Sequence, residues 1–104
     1  MNINELNIKG EQLEEVCKRF SIKELALFGS VLRDDFNKDS DIDLLYVFED
    51  DVEYSLFDIV RIKEELQNLF NRPVDFVSRK AIERSRNIYK RKSILNNTKV
   101  IYAA

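Results

Sequence analysis

The sequence predicts an α+β fold, in which helices pack against a small β-sheet, and three observations support this. Apolar residues recur with helical spacing over residues 11–20 and 55–71. Between and after these segments lie short apolar runs with the length and alternation of strands. The chain has 104 residues, which is enough for one hydrophobic core. We therefore expect a single domain over residues 1–104 in which strands and helices are interleaved.

The first half of the chain is predicted to contain one main helix, one short helix and two strands. The helix covers residues 11–20, and a buried strand covers residues 25–28 and stops at a glycine. Residues 30–34 are predicted to open a short helix, and residues 37–40 form a polar loop. The most strand-like segment is 41–48, where apolar side chains alternate onto one face.

The second half is predicted to contain two helices and one strand. Ser55 and Asp58 have the spacing of a capping box at the start of a helix over residues 55–71. A third strand is expected at residues 74–77, followed by a basic helix over about residues 81–95. A short extended piece ends the chain.

Composition excludes several classes of chemistry. The chain has no histidine and a single cysteine, Cys17. This removes histidine-assisted nucleophiles, an internal disulfide and a structural zinc site, and we expect Cys17 to be a packed core residue. The 19 acidic residues instead suit hard cations such as magnesium. No apolar run approaches the length of a membrane span, so we expect a cytoplasmic protein with no membrane partner.

Charge is unevenly distributed along the chain. Residues 34–58 carry ten acids against one base, a net charge of −9. Residues 79–99 carry eight bases against one acid, a net charge of +7. Two interpretations stay open at this point: two solvated faces, or a metal-binding pole opposite a pole that binds an anion or a partner.

Two short motifs follow each other at the predicted strand ends. Gly29 and Ser30 stand where a strand passes into a predicted helix, and a glycine there lets the backbone approach a phosphate. Ten residues later come Asp41 and Asp43, which share a face because a strand has a period of two. Their carboxylates would converge on one cation or bridge two. Each motif also has a simpler interpretation, as a turn and as a solvated strand start.

A third acid, Asp75, interrupts the apolar strand at residues 74–77. If this strand lies beside the strand at 41–48, three carboxylates share a face. Such a cluster repels itself strongly unless a cation lies between its members. The alternative is a surface aspartate on an edge strand.

The order and spacing of these motifs resemble those of the DNA polymerase β-type nucleotidyltransferase superfamily. That signature is Gly-Ser, a spacer, Asp-x-Asp and a later third acid, and Arg33 stands where the family commonly carries an arginine. Within the superfamily the chain looks most like the minimal nucleotidyltransferases, small antitoxins that act beside HEPN-domain toxins. The resemblance implies the nucleotidyltransferase fold, a small mixed sheet with helices packed on one face.

The resemblance also implies a role for each matching residue. Gly29, Ser30 and Arg33 would bind the nucleotide. Asp41, Asp43 and Asp75 would be the catalytic residues that bind two Mg²⁺ ions, with ATP as substrate. The implied reaction transfers AMP from ATP to a tyrosine hydroxyl of a partner HEPN toxin, within a hetero-oligomer. Asp34 departs from the family pattern, since relatives often have glycine there, and an acid at that position would weaken nucleotide binding.

Two alternatives to protein adenylylation follow from the basic segment between residues 79 and 92. In the first, the protein neutralises its toxin by forming a complex, and this segment is the contact surface. In the second, nucleotides are transferred to RNA or to a small molecule, with Tyr89 as a stacking residue. Direct nucleic-acid binding is not expected, because a solvated helix face explains the basic residues more simply. The acceptor, the number of AMP units and the stoichiometry do not follow from the sequence.

Overall fold

The computed structural model describes residues 10–32 and 40–104. These form an α+β fold, as predicted, and the elements follow in this order: α1 (Gly10–Arg19), β1 (Ile22–Phe28), a 3₁₀ turn (Gly29–Leu32), β2 (Ile42–Phe48), α2 (Leu56–Phe70), β3 (Val74–Ser78), α3 (Arg79–Glu83), α4 (Ile88–Leu95) and β4 (Thr98–Ala103). The extended piece expected at the end of the chain is a full strand of the sheet.

The four strands form one mixed sheet in the order β3-β2-β1-β4. β1 runs antiparallel to both β2 and β4, whereas β2 and β3 are parallel. The carboxyl end of β1 therefore meets the amino ends of β2, β3 and β4 at one edge of the sheet. The parallel pair is connected through α2, which is the usual connection between parallel strands.

One face of the sheet, here called the covered face, packs against α1 and α2. Its core consists of buried apolar residues from both helices and from three strands: Leu13, Val16, Cys17, Ile22, Leu25, Leu27, Ile42, Leu44, Ile62, Leu66, Phe70 and Val74. The alternation predicted for 41–48 is confirmed, since Ile42 and Leu44 lie on this face and Leu45 does not. Burial of this apolar surface is the main stabilising contribution to the fold.

The other face, here called the open face, carries a smaller core. Ala26, Phe28 and Leu45 of the sheet are buried against Ile82 of α3, and Ile94 and Leu95 of α4 pack beside them. The expectation that helices pack on one face only was therefore wrong in this detail. α3 and α4 are rich in basic residues, but they also carry a few apolar side chains. These apolar side chains are enough to hold the two short helices on the sheet.

The single helix expected over residues 81–95 was also wrong, because α3 ends at Glu83 and α4 begins at Ile88. The side chain of Asn87 accepts a hydrogen bond from the backbone N–H of Lys90 at 3.0 Å and caps α4. Ser85 accepts one from the N–H of Asn87 at 3.2 Å. Such short polar side chains compete with helix hydrogen bonds, so the segment breaks where they occur.

The predicted start of α2 is confirmed. Ser55 caps the helix by accepting a hydrogen bond from the N–H of Asp58, and Asp58 accepts one from the N–H of Ser55 at 3.0 Å. Asp58 thus replaces the usual Glu of a capping box. The other end of α2 closes at Asn71, whose left-handed φ of 55° stops the helix before Pro73.

Within the described ranges 10–32 and 40–104, no helix is long and apolar enough to cross a membrane.

Candidate active site

The predicted site residues meet at the edge of the sheet where β1 ends and β2 and β3 begin. Gly29 follows the last residue of β1, Asp43 is the second residue of β2, and Asp75 is the second residue of β3. Phe28 is the register partner of Asp43 on one side, and Asp75 is its partner on the other. Register partners 15 and 32 residues apart in the sequence are thereby brought together.

Asp43 and Asp75 both project onto the open face. Their neighbours Ile42, Leu44 and Val74 belong to the core of the covered face, and alternate residues of a strand point to opposite faces. Paired residues on adjacent strands have backbones about 4.8 Å apart. The structure therefore places two aspartates side by side on this face, with Asp75 exposed and Asp43 half-buried.

Asp41 lies one residue before β2 and is exposed. The chain around it is held by the two residues that precede β3: the N–H of Ile42 donates to the carbonyl of Pro73 at 2.9 Å, and Arg72 Nη1 donates to the carbonyl of Ser40 at 3.2 Å. No motif in the sequence pointed to a role for Arg72 at this site. Its contact with Ser40 positions the segment that carries Asp41.

Two features of the structure explain why position 29 is occupied by glycine. Its φ of 73° is in the left-handed region that favours glycine. A Cβ built at this position would overlap Oδ2 of Asp43 and lie 3.2 Å from its Cγ. The absence of a side chain at Gly29 therefore leaves room for the Asp43 carboxylate. Sequence reasoning had predicted room for a phosphate here, and the contact with Asp43 is an additional reason for the glycine.

Other predicted site residues are described only in part. The backbone of Ser30 lies in the 3₁₀ turn that follows β1. Arg33, the expected phosphate-binding arginine, lies outside the described residues, and so does Asp34. Their predicted roles stay predictions.

An open cleft of about 520 Å³ lies beside Gly29 and Asp43. Phe28 and Leu32 line it near the sheet, and Ser93, Ile94 and Asn97 line it from α4 and the turn that follows. Sequence reasoning missed this second wall, because it predicted only a basic helix over about residues 81–95 and no site residue there. Only the packing of α4 against the sheet shows that these residues face Asp43.

The donor chemistry at the sheet edge suits a divalent cation. Carboxylate oxygens are preferred ligands of magnesium, and a cation between two carboxylates turns their repulsion into attraction. Within residues 10–32 and 40–104, however, no three acidic, histidine or cysteine side chains lie close enough to form a complete metal site. The pair Asp43–Asp75 fits part of the predicted metal site, and the three-acid site remains a prediction.

The basic segment is partly engaged within the fold. Arg79 binds Glu24 at 3.1 Å and Glu83 at 3.1 Å, and Arg91 donates to the carbonyl of Ser85. Its exposed members are Lys80, Arg84, Arg86, Lys90 and Lys92. Arg79 thus anchors α3 to β1.

Cys17 is buried in the core of the covered face, as predicted. Burial raises the pKa of its thiol to about 12. A thiol of this kind stays protonated at neutral pH and is a poor nucleophile.

The fold and its sheet-edge carboxylates can be compared with known proteins. A sequence model of the family described as "Nucleotidyltransferase domain" matches residues 9–101. The match covers more than half of the chain, so the protein belongs to this nucleotidyltransferase family.

Individual relatives narrow the comparison to the small members of the family. Protein adenylyltransferase MntA of Thermococcus cleftensis is 33% identical over 70 residues, which cover 67% of this chain and 69% of that protein. A solved "putative minimal nucleotidyltransferase" is 31% identical with a TM-score of 0.68, and the match covers 94% of both chains. This chain is therefore a minimal nucleotidyltransferase related to protein adenylyltransferase MntA.

A third similarity is one of fold. A chain from the complex of a tri-AMPylated Shewanella oneidensis HEPN toxin with its MNT antitoxin superposes with a TM-score of 0.61 at 12% identity. The match covers 95% of this chain and 73% of that one.

Proposed function

We propose that this nucleotidyltransferase transfers AMP from ATP to a tyrosine hydroxyl of a partner HEPN-domain toxin and thereby acts as its antitoxin. The observation that carries the proposal is the meeting of Gly29, Asp43 and Asp75 at one edge of the sheet. Support for the protein acceptor comes from the relatives: MntA is a protein adenylyltransferase, and the Shewanella complex contains an AMPylated HEPN toxin.

In the proposed reaction, the tyrosine oxygen attacks the α-phosphorus of ATP. A new bond forms between the tyrosine oxygen and the α-phosphorus. The bond between the α-phosphorus and the oxygen that bridges it to the β-phosphate breaks, and pyrophosphate leaves with the electron pair of that bond. The proton of the hydroxyl passes to a carboxylate or to water. Such transfers depend mainly on in-line positioning and on neutralisation of phosphate charge.

Each site residue has a proposed part in this reaction. Asp41, Asp43 and Asp75 would hold two Mg²⁺ ions, which supply the neutralisation of phosphate charge. Gly29 and Ser30, at the start of the 3₁₀ turn, would place backbone N–H groups near the triphosphate. Asp75 would also orient the acceptor hydroxyl, because it is the exposed acid of the pair.

The strand order supports separate binding positions for the two proposed substrates. β2 lies between β3 and β1, so Asp43 has Asp75 on one side and Gly29 on the other. The nucleotide would bind on the Gly29 side, where the cleft lies. The acceptor would approach from β3, which is an edge strand of the sheet among the described residues.

The test is incubation of the protein with ATP, Mg²⁺ and the product of its neighbouring gene, followed by intact-mass measurement. We expect AMP to be added to the partner by the unaltered protein and not by Asp43→Asn. Asp51→Asn is the matched control, because Asp51 is an exposed acid in the turn after β2. It should transfer AMP at the unaltered rate.

Two outcomes would contradict the proposal. Transfer by Asp43→Asn at the unaltered rate would show that the sheet-edge carboxylates are not the catalytic residues. A stable complex without added mass, in which Asp43→Asn still neutralises the partner, would favour neutralisation by complex formation. In that case RNA and small hydroxylated molecules become the acceptors to test.

A further inference from the structure

The cleft beside Asp43 has a wall that the proposed mechanism does not use. Ser93, Ile94 and Asn97 form this wall, opposite Gly29 and Asp43. It is built by the carboxyl end of α4 and by the turn into β4. What binds there depends on where the cleft lies relative to the two carboxylates and on the chemistry of its lining.

The cleft lies on the far side of Asp43 from Asp75. The strand order places β3 on one side of β2, and β1 and β4 on the other. Thr98, the first residue of β4, pairs with Phe28 directly before Gly29. If Asp75 faces the acceptor, as the proposed function requires, the occupant of the cleft is the nucleotide.

The residues that line the cleft suit one part of a nucleotide, the base, better than another, the triphosphate. Among the described residues that line the cleft there is no lysine or arginine, and Asp43 is the only charged one. A triphosphate therefore finds no neutralising side chain on the α4 wall. Phe28, Leu32 and Ile94 instead offer apolar surface of the kind that covers a flat base.

Two polar groups complete the wall. Nδ2 of Asn97 donates to the carbonyl of Ser93 at 2.8 Å, which holds the amide against the last turn of α4. A carboxamide has two N–H donors and a carbonyl acceptor, so one such bond leaves capacity for a ligand. The hydroxyl of Ser93 adds a donor and acceptor one turn away. The cleft volume of about 520 Å³ is within the range of small-molecule sites.

We propose that Ser93, Ile94 and Asn97 form the nucleoside subsite of the enzyme. Ile94 packs against the base, and Asn97 and Ser93 hydrogen-bond to the base edge or the ribose. The triphosphate lies toward Gly29 and Asp43. The inference rests on the proposed function for its substrate, and it assigns the nucleoside to residues for which the family motif has no role.

The test compares two probes in calorimetric titrations with Mg²⁺ present: ATP and inorganic tripolyphosphate. The second probe has the phosphates but no nucleoside. Asn97→Ala should weaken ATP binding about tenfold, which corresponds to about 1.4 kcal/mol, and leave tripolyphosphate binding unchanged. Ser93→Ala should weaken ATP binding in the same selective way by a smaller factor, about threefold. Because the hydrogen bond from Asn97 uses the backbone of Ser93, this second variant leaves it intact.

Asn96→Ala is the matched control. Asn96 is the same residue type one position earlier and does not line the cleft. It should bind both probes like the unaltered protein. If Asn97→Ala binds ATP unchanged, or loses both probes equally, the subsite is wrong. A defect of Asn97→Ala that appears only in the KM for the partner protein would place the acceptor in the cleft and overturn the inference.

The same titrations separate this inference from the proposed function. Selective loss of ATP binding in Asn97→Ala, in a protein that transfers nothing to its partner, would leave the subsite standing and overturn the protein acceptor. An unaltered protein that binds neither probe would overturn both.

Discussion

The two faces of the sheet are built from the same strands but have different roles. On the covered face, α1 and α2 enclose a continuous core that includes Ile42, Leu44 and Val74. On the open face, α3 and α4 bury a smaller cluster, and near the amino ends of β2 and β3 this face carries the half-buried Asp43 and the exposed Asp75. Asp43 and Asp75 alternate with buried residues in the same two strands. A strand can thus carry charge on one face because the other face supplies its packing.

The largest effect is expected on the covered face. Leu66→Ala removes a fully buried side chain from α2, so we expect the free energy of unfolding to fall by about 2–5 kcal/mol. Leu56→Ala is the matched control, because Leu56 is 78% exposed on the same helix; its change should stay within about 0.5 kcal/mol. Denaturant unfolding measures both. Equal losses would show that this face is not the main core.

Gly29→Ala should be the most damaging change on the open face that substitutes no acidic residue. The new Cβ would displace Oδ2 of Asp43, and we expect transfer to slow by about a hundredfold. The Mg²⁺ concentration needed for half-maximal rate should also rise, which a purely structural defect would not cause. Gly10→Ala is the control, since no atom of the described residues lies within 4 Å of its Cβ position. Unchanged magnesium dependence in Gly29→Ala would contradict the role of Gly29 in positioning Asp43.

The buried thiol of Cys17 predicts a pH dependence that belongs to the covered face. Its pKa is raised to about 12 in the folded protein. The unfolded thiol ionises near its ordinary pKa, so stability falls as pH rises between that value and about 12. The slope reaches about 1.4 kcal/mol per pH unit. In Cys17→Ala, the fall in the free energy of unfolding that the thiol causes between pH 8 and pH 10 should be absent. An identical slope in both proteins would show that the thiol is accessible to water.

The smallest effect is expected at the start of α2. Ser55→Ala removes the cap and should cost about 1 kcal/mol of stability at neutral pH. The hydrogen bonds from Ser55 lower the pKa of Asp58 below its usual value. This contribution is present at neutral pH and is lost as pH falls through the lowered pKa of the folded protein. Ser55→Ala should therefore cost less stability at pH 3 than at neutral pH. In a protein that also carries Asp58→Asn, the stability cost of Ser55→Ala should not depend on pH. A cost that does not change with pH in the presence of Asp58 would argue against the capping box.

Local sequence patterns were sufficient to predict most of the helices and strands. Alternation placed Ile42 and Leu44 on the core face, and the Ser55–Asp58 spacing located the start of α2. They failed for residues 81–95, where a run of helix-compatible residues hid the caps at Ser78 and Asn87. Sequence alone does not decide whether an asparagine lies inside a helix or begins one, because tertiary packing of Ile82 and Ile94 selects between the two.

Residue pattern alone established the α+β class, the family signature and the acids that belong to it. Whether Asp75 lies beside Asp43 depended on a parallel pairing of β3 with β2, which no local feature specifies. The closeness of Gly29 to the Asp43 carboxylate and the α4 wall at Ser93 and Asn97 also appeared only in the folded chain. The physical reason is the same in each case. Hydrophobic periodicity fixes which way a side chain points, whereas neighbours distant in sequence are chosen by the packing of whole elements.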